Sequence, residues 1–220
     1  MILKKLVSAI ALTGSAIVIA RSVFALPKIE ERIDSTALPK TMSGPLAEAL
    51  IKLEVQHKGL TGVAPLQNSA DAFAARILLA DAAVSSLDIQ YYMWHADLTG
   101  TLLLDALVRA ANRGVQVWLL LDDNGTTGLD GDIAALVAHP NIEVRLYNPF
   151  NLRTFKTLSY AFDFFRLNRR MHNKSFTVDG RATILGGRNV GDEYFGTGSV
   201  QRRCLLILMY SQLGQSSPRS

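Results

Sequence analysis

The chain has 220 residues, 49% hydrophobic and 19% charged, which excludes a disordered polar chain and fits one ordinary domain with appendages. Its single cysteine, Cys204, excludes an intramolecular disulfide framework and a cysteine-built structural zinc site. The net charge of +4 is unevenly placed: residues 153–188 hold eight basic side chains against two acidic ones, and the rest of the chain fifteen against seventeen. That window suits an anionic ligand, or simply a solvated basic face.

At the amino terminus Lys4 and Lys5 precede fifteen uncharged residues, 6–20, and Arg21 follows. Val23, Phe24 and Ala25 then offer the small and aliphatic residues that a signal peptidase reads. Fifteen residues fall short of the roughly 20 that span a bilayer. Residues 1–25 therefore read first as a signal peptide cleaved near Ala25, and next as an uncleaved anchor in which Arg21 snorkels. Residues 26–69 read as a helical extension.

From there helices and strands alternate. Apolar spacing predicts a helix over 44–58, a loop at 57–62, and a helix over 71–86 with Ser69 as its N-cap. A strand over 87–94, a helix over 99–113 and a buried, parallel-type strand over 115–121 follow. A short helix over 130–138 and a strand over 142–146 complete the alternation. This order predicts an α/β layered sheet with flanking helices.

Residues 149–171 interleave Phe150, Phe155, Tyr160, Phe162, Phe164 and Phe165 with Arg153, Lys156, Arg166, Arg169 and Arg170. Such a segment can stack bases of single-stranded nucleic acid or lie at a lipid headgroup surface. The favoured expectation is an aromatic helix packed on the sheet with a basic outer face. Strands over 174–178 and 182–185 come next, joined by the hairpin dipeptide Asp179-Gly180.

The chemistry-bearing residues are concentrated here. His172, Lys174 and Asp179 form His-x-Lys-x₄-Asp, and Gly186-Gly187-Arg188-Asn189 follows. With 4 His, 8 Lys and 13 Asp, chance places this motif in such a chain about 0.01 times. On a strand, His172 and Lys174 project from one face. A histidine can attack phosphorus or shuttle a proton, and a neighbouring lysine neutralises phosphate oxygens. Asp179 can fix a histidine's tautomer, and Asn189, after glycines that admit an anion, can donate to a phosphoryl oxygen. His57 and His139 are ordinary loop residues beside Gly59 and Pro140, and His95 ends a strand and is a weaker candidate for the site.

At these residues the chain resembles the phospholipase D superfamily, and most closely its bacterial cardiolipin-synthase-like branch. Residues 87–94, 121–125, 171–174 and 186–195 carry the resemblance, which runs from about His57 to Gly196. It implies phosphodiester chemistry through a phosphohistidine with no cofactor and no metal. His172 is then nucleophile or general acid, Lys174 and Asn189 bind substrate phosphate, and Asp179 supports a histidine. The implied partner is anionic phospholipid at a membrane surface, with nucleic acid less favoured, and the implied location is the outer face of a bacterial inner membrane or the periplasm.

Members of this superfamily use two copies of the motif, and this chain holds one. A homodimer or a second lobe would complete the site. The expected organisation is a lobe over 70–199 and a foreign tail over 200–220, with a frameshift near residue 200. A one-nucleotide shift of residues 206–220 permits a strand-like string. On this expectation the sheet ends after 182–185, and the chain is an inactive, poorly stable amino-terminal half. The alternatives are a secreted homodimeric nuclease and a non-catalytic fragment that binds anionic surfaces.

Overall fold

The computed structural model describes residues 1–27, 36–196 and 204–209. Seven strands build one mixed sheet: β1 (Thr61–Leu66), β2 (Ser86–Tyr91), β3 (Gln116–Asp122), β4 (Ile142–Tyr147), β5 (Lys174–Val178), β6 (Ala182–Gly186) and β7 (Cys204–Met209). Their order across the sheet is β1-β7-β6-β5-β2-β3-β4. β2, β3 and β4 run parallel, and every other pairing is antiparallel. The α/β expectation therefore holds.

The helices are α1 (Ile2–Val23), α2 (Pro45–Gln56), α3 (Ser69–Ala82), α4 (Leu98–Asn112), α5 (Asp130–Val137), α6 (Tyr160–Leu167) and α7 (Asp192–Phe195). In α4, Leu103, Ala106, Leu107, Ala110 and Ala111 recur at helical spacing and are fully buried. Leu87, Ile89 and Tyr91 of β2 alternate with half-buried Asp88 and Gln90, and Val117, Leu119 and Leu121 of β3 repeat the pattern. These residues share one core cluster with Phe176, Val178 and Ile184. Each such aliphatic or aromatic side chain contributes roughly 1.5–3 kcal/mol by leaving water. Asp97 caps α4 by accepting the Gly100 N–H at 2.9 Å.

Four expectations change. The α3 cap is Asn68, which accepts the Ala70 and Asp71 N–H groups, and Ser69 is already helical. β2 stops at Tyr91, because Trp94 pairs instead with Val190 as an isolated bridge. β1 begins within the expected loop and joins the sheet, a strand inside the segment expected to be a helical extension. Most important, the sheet does not end at β6: β7 lies between β6 and β1 and pairs with both. Pairing on both edges satisfies the backbone N–H and C=O groups of Leu205 to Leu208, which holds the run as a strand inside the sheet although its sequence does not alternate.

Contacts group Met1–Ser35 with Asn148–Arg170, and Thr36–Tyr147 with Met171–Ser220. The second group contains the sheet. In the first, α6 is interrupted by the non-helical backbone of Asp163 and takes its neighbours from α1 and the 3-10 turn Lys156–Ser159.

Candidate active site

The site lies at one end of the sheet, and strand direction puts it there. β2 and β3 are parallel, so Tyr91 and Leu121 stand level at their carboxyl ends. β5 is antiparallel to β2, which makes its first residue, Lys174, the partner of Tyr91. β6 runs back along β5 and delivers Gly186 to the same end.

His172 and Lys174 are brought together as expected. The Lys174 Nζ lies 3.3 Å from the His172 Nε2 and donates to the His172 carbonyl oxygen at 3.2 Å. An ammonium has only donors, so a hydrogen bond across this contact uses the Nε2 lone pair and the tautomer with its proton on Nδ1. Lys174 is buried while His172 is exposed, which leaves the imidazole accessible and its neighbouring charge sheltered.

Tyr92 frames this pair. Its ring is 4.9 Å from the His172 ring, and the Lys174 Nζ lies 5.6 Å from its centroid, a cation–π contact. The Asn124 Nδ2 donates to the Tyr92 hydroxyl at 3.4 Å. Asp122 holds the chain just ahead of His172: its Oδ2 accepts the Met171 N–H at 2.8 Å and its Oδ1 the Asn124 N–H at 2.9 Å. Gly125 allows this loop to close on β2, since a Cβ there would lie 2.0 Å from the Tyr92 carbonyl oxygen. Sequence reasoning gave Tyr92 and Asp122 no role. The available signal was an Asp-Asp-Asn-Gly run at the carboxyl end of a buried parallel strand, where α/β sheets place their sites.

Asn189 is fully buried and tied to the framework. Its Oδ1 accepts the Met93 N–H at 3.3 Å and its Nδ2 donates to the Tyr194 hydroxyl at 2.9 Å. These bonds fasten the Gly-Gly-Arg-Asn loop to the chain leaving β2. His95 is held nearby in that framework, its N–H on the Val190 carbonyl at 3.0 Å and its Nδ1 4.0 Å from Asp97 Oδ2.

Asp179 lies apart from the His172–Lys174 pair. It sits past the far end of β5, a strand of five residues that spans roughly 17 Å from Lys174. Its buried carboxylate accepts backbone N–H groups from Val84 (3.1 Å), Ser85 (2.8 Å) and Ser86 (2.9 Å), where β2 begins. Among the described residues, the hydrogen bonds of this carboxylate go to those three backbone groups. Asp179 and Gly180 both have positive φ, 53° and 63°, the geometry of the tight hairpin their sequence predicts.

Behind the site, fully buried Arg76 of α3 donates to the Tyr91 hydroxyl at 2.8 Å and to the Cys204 Sγ at 3.7 Å. Burial works against its charge, but Tyr91 and Cys204 beside it outweigh that effect and hold its pKa above the usual value. Burial pushes the Tyr91 phenol up as well, with Arg76 pulling in the opposite direction. β7 is thus tied to β2 through one cation.

Residues 77–208 match the family described as cardiolipin synthase, phospholipase D-like domain. The chain belongs to this family. Cardiolipin synthase C of Escherichia coli (strain K12) is 59% identical over 153 residues, covering 70% of this chain and 32% of that protein. The major cardiolipin synthase ClsA of Bacillus subtilis (strain 168) is 36% identical over 110 residues, 50% of this chain and 21% of that protein. The chain thus spans about a third or less of the length of these relatives. The solved structure of phosphatidylserine synthase from Haemophilus influenzae Rd KW20 shares the fold, with a TM-score of 0.52 at 17% identity over 72% of this chain and 38% of that one.

Proposed function

We propose that this lobe carries half of a phospholipase D-type active site that transfers or hydrolyses phosphatidyl groups through a phosphohistidine on His172. The observation that carries the reading is the 3.3 Å contact between Lys174 Nζ and His172 Nε2. Without substrate, the ammonium occupies the lone pair that must attack. An incoming phosphodiester offers a stronger, charged acceptor, so Lys174 turns to the phosphate oxygen and releases Nε2. Nε2 then bonds to phosphorus, and the bond from phosphorus to the leaving oxygen breaks. Lys174 and the second Nδ2 hydrogen of Asn189 stabilise the charge that builds on the phosphoryl oxygens. A lipid hydroxyl or water next attacks phosphorus as the bond from phosphorus to Nε2 breaks, its proton passing to the group that protonated the leaving oxygen, and the imidazole is restored.

The leaving oxygen needs a proton, and the reaction needs a second histidine to supply it. In this reading a second lobe or a second copy of the chain provides that group, and the lobe is inactive alone. The resemblance of residues 186–195 to the cardiolipin-synthase branch supports phospholipid as substrate, and the apolar amino terminus supports a membrane setting at the outer face of the inner membrane or in the periplasm.

The test is co-expression with the carboxy-terminal remainder of E. coli cardiolipin synthase C, followed by assay of cardiolipin formation. His172→Ala and Lys174→Ala are each expected to lower the rate about 10³-fold or more. Activity is expected to persist in chelator. Retained activity in His172→Ala, or complete inhibition by chelator, removes the mechanism; a dimer of the chain that is active alone removes the need for a second lobe.

A further inference from the structure

The group formed by Met1–Ser35 and Asn148–Arg170 takes no part in this chemistry, and its surface is unlike one built for water. Among its described residues, Phe165 is 85% exposed, Phe155 66%, Leu158 56% and Phe164 51%. Basic side chains surround them. Arg166 and Arg170 are structural: Arg166 pairs with Asp163 and donates to Asn148, Pro149 and Asn151, while Arg170 donates to Tyr160 and stacks 4.8 Å from the Phe150 centroid. Arg169 is exposed, and Arg153 and Lys156 are half-buried.

The contacts of α1 give this surface an address. α1 is 22 residues long, apolar, and has no buried residue. At 1.5 Å per residue it extends roughly 33 Å, enough for the hydrocarbon core of a bilayer when Lys4, Lys5 and Arg21 near its ends snorkel to the two surfaces. Residues 148–170 grip its carboxyl end: Arg21 lies 3.6 Å from Asp163, the Phe24 and Phe162 rings are 5.8 Å apart, and the Asn151 Nδ2 donates to the Phe24 carbonyl at 2.8 Å. Lys4 and Lys5 mark the opposite end of α1. A segment fixed to the exit end of a spanning helix sits at the level of the lipid headgroups. Aromatic and basic residues are what that level selects.

We infer that α1 is retained as a membrane anchor and that residues 148–170 form its interfacial foot, with Phe164 and Phe165 entering an anionic bilayer and Arg169 among its headgroups. Cleavage near Ala25 would remove Arg21 of α1 and Phe24 at its C-cap, the two residues that the foot holds. The occupant is a bilayer rather than single-stranded nucleic acid, because the exposed aromatics adjoin the end of an apolar helix. Charge complementarity makes that bilayer anionic.

The test uses the full chain and reads no activity, so it is independent of the catalytic proposal. Phe165→Cys in a Cys204→Ser background is labelled with an environment-sensitive fluorophore and reconstituted in vesicles of equal phosphatidylglycerol and phosphatidylcholine. Quenching by lipid spin-labelled high on the acyl chain is expected to exceed quenching by a deep label by about twofold or more. Arg169→Glu is expected to reduce it in these vesicles but not in pure phosphatidylcholine. Absence of quenching by either label, or indifference to Arg169→Glu, overturns the foot. Intact mass of the membrane-extracted protein is expected to include residues 1–25, and a mass beginning after Ala25 overturns the anchor.

Discussion

Asp179 and Ser86 exchange two hydrogen bonds of 2.9 Å: the Asp179 carboxylate accepts the Ser86 N–H, and the Asp179 N–H donates to the Ser86 carbonyl. With Val84 and Ser85 on the same carboxylate, the motif aspartate locks the β5–β6 turn to the start of β2. The motif therefore spans one strand, with chemistry at its first end and a clamp at its other.

Asp179→Ala is expected to lower unfolding stability by about 3–5 kcal/mol, since three backbone donors lose a charged acceptor. His172→Ala, at an exposed position, is expected to stay within about 0.5 kcal/mol of the parent. Urea unfolding of the two variants measures the contrast. An Asp179→Ala protein of unchanged midpoint but no activity would return the residue to the catalytic set.

Burial raises the Asp88 carboxyl above its usual range. Between the ordinary carboxylate value of about 3.9 and the raised folded value, the folded chain binds more protons than the unfolded one. Stability from this group is accordingly lost as pH rises through that window, and stays lost above it. Asp88→Asn is expected to be more stable than the parent at neutral pH, the two converging in acid. Asp192 slopes the other way, because the Thr99 N–H holds its carboxyl below the usual range. The difference between variant and parent isolates Asp88, and equal midpoints at neutral pH would contradict its desolvation.

Leu206 pairs with Ile184 on one side and Ala64 on the other. Leu206→Pro removes a donor from a central strand, where proline is not accommodated. Hydrogen exchange is expected to accelerate at the amides of β6 and β1 while β3 stays protected. Unchanged protection in β6 would mean that β7 lies outside the sheet and would restore the expectation that residues after 200 are foreign to the fold.

The sequence alone determined the layered α/β order, the hairpin at Asp179-Gly180, the His172–Lys174 pairing and the family. These follow from local periodicity, a turn that demands positive φ, and residues two apart on one strand, none of which depends on distant partners. Tertiary structure decided the rest. Whether 204–209 is a strand depends on two neighbours about 20 and 140 residues away, and no periodicity within an apolar run reveals them. Tyr92 and Asp122 join the site only because parallel β2 and β3 end level with the start of β5. Asp179 lies beyond the far end because a strand is extended: the four residues that separate it from Lys174 in the motif separate it by a strand's length in space.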